Sequence, residues 1–126
     1  MEETAKSKQY DLEERLIAFS VRIIDVVEAL PNTRAGNHVA GQLLRCGTSP
    51  APNYGEAQSA ESRDDFIHKM KICLKELRET KIWLLILQRR EMIQPARRLA
   101  AMLVECSELI RIFVKSIATA EKNRPR

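Results

Sequence analysis

The sequence predicts an all-α protein folded as an up-and-down antiparallel four-helix bundle. Its apolar residues recur at spacings of three and four, and alternation of period two is nearly absent. Only four glycines and five prolines punctuate 126 residues, which leaves room for a few long helices. Short connections between helices 1 and 2, and between helices 3 and 4, make those neighbours antiparallel. A chain of this length forms one domain and buries a core without metal or disulfide staples.

The first ten residues are polar and are expected to be a flexible N-terminus ahead of a bundle spanning residues 11–120. Helix 1 is predicted from about Asp11, as N-cap, to Leu30, with Pro31-Asn32 closing it. Leu12, Leu16, Phe19, Ile23, Val26 and Leu30 form one core stripe, and Ile17, Val21 and Ile24 a second on nearly the opposite side. A helix apolar on two sides wants two partners.

Helix 2 is predicted from near Ala35, carrying Val39, Leu43 and Leu44. Gly47 reads as a helix stop, Ser49 as a new N-cap and Pro50 as a first-turn proline, so a kink or break is expected near Gly47-Pro52. Helix 3 is predicted from a Ser62 cap, with Asp65 three residues on, to about Arg90. Phe66, Met70, Cys73, Leu77, Thr80, Leu84 and Leu87 form its core stripe; Ile72, Glu76, Glu79, Trp83 and Ile86 form a second row. Helix 4 is predicted with Pro95 in its first turn and Leu99, Leu103, Cys106, Ile110, Phe113 and Ile117 inward. Glu105, Glu108 and Lys115 are expected to point outward. Residues 121–126 are basic, contain a proline and are expected to be a disordered tail.

Composition limits the function classes. A net charge of +4, from 21 basic and 17 acidic residues, permits a polyanionic partner without requiring one. Cys46, Cys73 and Cys106 are odd in number, widely separated and set among apolar residues, as expected of reduced thiols in the cytoplasm. The polar N-terminus lacks the apolar stretch of a signal peptide, and no apolar run is long enough to span a membrane.

Three constellations carry possible chemistry. Lys71, Lys75 and Arg78, with His68, make a basic row on helix 3 that could neutralise successive phosphates of RNA or DNA. Arg124 and Arg126 in the tail would assist. Such rows are also common as plain solvated faces, and no aromatic side chains are interleaved for base stacking. Arg45, Ser49, Asn53 and Glu56 share one side of helix 2, with Glu76 and Glu79 available across from them. Nothing there pairs a nucleophile with a base, so a structural polar network is the expected role. Asp65-x-x-His68 has the spacing of half a di-iron motif, but the second copy and the extra carboxylates are missing, so no metal or cofactor is expected.

The set Gln42-Leu43-Leu44-Arg45, Thr48-Ser49, Asn53-Tyr54-x-Glu56-Ala57, Ser62-x-x-Asp65-Phe66, Lys75-Glu76 and Trp83-Leu84 resembles the bacterial 23S rRNA intervening sequence protein family. Asp11-Leu12 matches the opening of that family's first helix, and the likeness runs over residues 11–90. Pro50 and Pro52 fall where many members carry small or aliphatic residues, which bears on the straightness of helix 2. The resemblance implies a four-helix bundle assembled as a ring-like homopentamer and implies no catalytic activity. A more distant likeness is to the accessory protein of diversity-generating retroelements, which binds a reverse transcriptase and nucleic acid.

The residues themselves ask for a homo-oligomer, because a monomer would expose Ile17, Val21, Ile24, Ile72, Trp83 and Ile86. Two functions stay open on this sequence. One is a non-enzymatic oligomer associated with nucleic acid through its basic surface. The other is a scaffold that binds a partner polypeptide and no nucleic acid.

Overall fold

Five helical segments follow one another: α1 (Glu2–Ala29), α2 (Arg34–Thr48), α3 (Pro50–Gln58), α4 (Arg63–Arg90) and α5 (Arg97–Lys122). This computed structural model describes residues 2–124, with side chains described for residues 11–124. No strand occurs among the described residues. Segments α2 and α3 join end to end as one slightly bent member, so the five segments make a four-helix bundle.

The packing order follows the chain. Helix α1 lies against α2 and α3, these lie against α4, and α4 packs most extensively on α5. The bundle closes only lightly between α5 and α1, while α1 and α4 sit diagonally opposed across the core. Leu16, Phe19 and Ile23 of α1 meet Leu43, Leu77, Leu84, Leu109 and Phe113 in a dry core. Tyr54 and Phe113 meet edge-to-face at 6.0 Å, joining α3 to α5.

The bend in the second member arises from missing donors. Pro50 and Pro52 have no amide hydrogen, so the carbonyls of Cys46 and Thr48 lose their partners four residues ahead. Ser49 nevertheless keeps right-handed helical angles (φ −71°, ψ −37°), and Asn53 N–H donates to its carbonyl at 3.2 Å. The interruption is therefore a bend and not a turn. Two expectations are corrected here. Ser49 does not cap α3 through its side chain; its Oγ accepts from Asn53 Nδ2 at 2.9 Å instead. Gly47 does not stop α2: it is buried against Ile23, where a β-carbon would lie 2.8 Å from the isoleucine side chain.

Other boundaries move for local reasons. Helix α1 begins at Glu2, so Asp11 lies inside it and does not cap it; residues 2–9 hold two N-terminal acids and no proline or glycine. Helix α2 starts one residue before Ala35, because Thr33 Oγ1 accepts from Gly36 N–H at 3.0 Å. Ser62 caps α4 as expected, accepting from Asp65 N–H at 3.0 Å. Pro95 precedes α5 and is not in its first turn; its carbonyl accepts from Arg98 N–H at 3.1 Å. Helix α5 ends at Lys122, and its buried face includes Met102 and Leu109, leaving Leu103 and Ile110 half-buried.

Glu105 does not point freely outward. Arg15 of α1 grips it with two hydrogen bonds, Nη2 to Oε1 at 2.7 Å and Nε to Oε2 at 3.1 Å, and reaches Glu108 at 3.3 Å. This clasp ties α1 to α5 where apolar packing between them is thin. The three cysteines are free and buried, and burial pushes the Cys73 and Cys106 thiols up to about 12. They act as small core residues and as donors, Cys73 to Pro50 O at 3.5 Å and Cys106 to Leu77 O at 3.4 Å. Among the described residues, no helix is long and apolar enough to cross a membrane.

Candidate functional site

Helix α4 carries the candidate surface, because its long exposed face is the only one that presents the predicted basic row. Lys71, Lys75 and Arg78 are all exposed, on the side away from Cys73, Leu77 and Thr80. They edge a groove of about 370 Å³ between α4 and α5, with Leu74 and Ile117 on its floor. Lys71 Nζ stands 3.7 Å from Glu121 Oε1 across that groove. Lys75 and Arg78 have no ion pair among the described residues. Arg124 is drawn to the first turn of α4, where its Nε lies 2.9 Å from Asp64 Oδ1. Arg126 lies outside the described residues.

The expected polar network separates into three parts. In the first, Arg45 of α2 bonds Glu76 Oε2 at 3.0 Å and also Glu79, whose Oε2 accepts from Trp83 Nε1 at 3.1 Å. His38 stacks edge-on against Trp83 at 5.9 Å. Arg45 and then Trp83 hold the Glu79 carboxyl below the usual carboxylate range by hydrogen bonding its charged form. In the second, Asn53 turns back to Ser49 within its own helix. In the third, Glu56 pairs with Lys69 of α4 at 3.2 Å. Each part joins α2 or α3 to α4 or braces a bend, and none sets a nucleophile beside a base.

The apolar rows fall on opposite flanks. Ile17, Val21 and Ile24 are 44%, 52% and 43% exposed on the outer face of α1. Ile86 is also exposed on α4, whereas Ile72 and Trp83 are half-buried. Sequence reading missed Ile82, 56% exposed one turn beyond Arg78 on the basic row itself. The spacing of four from Arg78 was the available signal.

One further feature was not foreseen. A groove of about 550 Å³ opens between α1 and α5, lined by Arg22, Arg97 and Arg98 together with Asp25. The arginine pair Arg97-Arg98, two residues after Pro95, was its trace in the sequence. Among the described residues no group of three or more His, Cys, Asp or Glu side chains could hold a metal ion. His68 is exposed and stands apart from any such group.

Comparison with known proteins adds a lineage to this geometry. The family model described as 23S rRNA-intervening sequence protein matches residues 8–115. A crystal structure from Bacteroides thetaiotaomicron, of a protein with unknown function from the S23 ribosomal protein family, superposes with a TM-score of 0.77. It is 34% identical, and the match covers 84% of this chain and 97% of that one. No curated protein matches the sequence significantly.

Proposed function

Because the chain belongs to the 23S rRNA-intervening sequence protein family, we propose that it is a non-enzymatic, nucleic-acid-associated oligomer of the cytoplasm. The observation that carries this reading is the exposed row Lys71, Lys75 and Arg78 along a groove, with Lys75 and Arg78 unpaired among the described residues. Successive cations at helical spacing neutralise successive phosphates, and an absence of stacking aromatics makes the contact backbone-directed and tolerant of sequence.

The diagonal placement of α1 and α4 supports assembly. Their exposed apolar rows lie on opposite flanks, so one cannot cover the other within a monomer. Joining the α1 flank of one copy to the α4 flank of the next is a head-to-tail contact, which closes a ring when the rotation permits. A homopentamer, as the family resemblance implies, is such a ring. It would repeat the basic row around one axis and add avidity to a weak single contact. A reverse transcriptase is the protein partner that the more distant likeness suggests.

One observation favours the scaffold reading: Ile82 and Ile86 continue the basic row as exposed apolar side chains. Cations beside isoleucines suit an acidic amphipathic helix of another protein as well as a phosphate backbone. Fluorescence anisotropy separates the two. Binding to a generic single strand and duplex should fall steeply with salt, and changing Lys71, Lys75 and Arg78 together to Gln should weaken it at least about tenfold. Binding that survives the triple change, or none at low salt, rejects the nucleic-acid reading.

A further inference from the structure

We infer that the groove between α1 and α5 is a binding site for a phosphate monoester of about nucleotide size. This site is separate from the α4 row and does not depend on it. Three arginines from two helices, Arg22, Arg97 and Arg98, line one cleft of about 550 Å³. Val26 and Met102 lie beneath its floor, almost fully buried, and Ala101 is the exposed apolar residue beside them. None of the three arginines has a carboxylate within ion-pair distance among the described residues, although Asp25 lines the same cleft. Arg22 is half-buried, so part of its hydration is already lost without a paired charge in return.

The start of α5 sharpens the case. Its cap position is Ala96, which offers no side-chain acceptor, and its first turn holds no acid. Arg97 and Arg98 stand there instead, placing positive charge at the positive end of the helix dipole. An anion in the cleft would relieve that repulsion, and planar guanidinium forks match phosphate oxygens in pairs. The same end of the bundle also carries Arg34, Arg89 and Arg90, which add to the field without lining the cleft. A dianionic monoester with three free oxygens uses three cations better than a diester does. The rest of the cleft, beside Ala101 and the aliphatic stems of the arginines, then receives a base or similar flat body, and Asp25 accepts from its hydroxyl or amino donors.

Calorimetric titration of the full chain with adenosine monophosphate, adenosine and inorganic phosphate tests this. Saturable binding of the monophosphate at one per chain is expected, with adenosine much weaker. Arg22→Gln, and Arg97→Gln with Arg98→Gln, should each weaken it about tenfold or more. Arg34→Gln with Arg89→Gln should leave it within roughly twofold, as distant charges are screened by salt. The triple Gln change on α4 should also leave it unaltered, so this site and the α4 row stand or fall separately. Competition by a short strand with a 5′-phosphate, but not by its 5′-hydroxyl twin, assigns the ligand to a strand end; competition by neither assigns a free nucleotide. Failure to saturate, or equal loss in the Arg34/Arg89 variant, overturns the site.

Discussion

A β-carbon on Gly47 would lie 2.8 Å from Ile23, so α1 and α2 approach as closely as they do only because that atom is missing. Gly47→Ala should therefore destabilise the fold by about 1–3 kcal/mol through overpacking. Ile23→Val in the same chain should recover part of the loss, which urea unfolding of the two variants and the pair would reveal. Glu79 illustrates the opposite case, in which polar contacts set behaviour at the surface. Arg45 and Trp83 depress its folded-state pKa, so the contribution of the ionised form is fully present above the ordinary glutamate range. It is lost as pH falls through that range and then through the lower folded value. Urea midpoints of the parent should drop more on acidification than those of Glu79→Gln. Because Arg45 is 51% exposed, the difference should be small and should shrink further in salt.

At the scale of the element, α2 and α3 show how two prolines bend a helix without ending it. The carbonyls of Cys46 and Thr48 lose their donors, yet Ser49 stays helical and Asn53 resumes the ladder. Pro52 is exposed, so Pro52→Ala removes no packing. The new amide at position 52 should bond to the Thr48 carbonyl and be protected in hydrogen exchange. Stability should change by less than about 1 kcal/mol, since the regained bond is offset by a looser unfolded chain. An unprotected amide would show that the neighbours, and not the prolines, impose the bend.

At the scale of the whole molecule, two exposed apolar flanks on diagonal helices argue for head-to-tail assembly. Val21, 52% exposed, sits in the middle of the α1 row and is not part of the buried core. Val21→Glu should dissociate the proposed assembly while leaving the helical content and monomer stability nearly intact, because burying an unpaired charge is costly only in the interface. Sedimentation at micromolar concentration checks this, and a monodisperse parent monomer would rule out the assembly itself.

The sequence alone determined the four-helix plan, the cap at Ser62, the core stripe of α1 and most of that of α4, where Ile67 and not Phe66 is fully buried. These features come from local rules: periodicity of three and four, and side chains that bond their own backbone a few residues away. It also exposed the basic row, since residues four apart on one helix share a face wherever that helix is put. Tertiary structure decided the rest. Gly47 looked like a stop because chain-local chemistry cannot register that Ile23 will lie across it. The Arg15–Glu105 clasp joins residues 90 positions apart, and no periodicity encodes such a pairing. The arginine cleft likewise exists only because α1 and α5 close lightly, bringing Arg22 beside the first turn of a helix that begins far along the chain. Helix faces are set by angle along a single axis, whereas clefts and clasps depend on the distance between axes, and only packing fixes that distance.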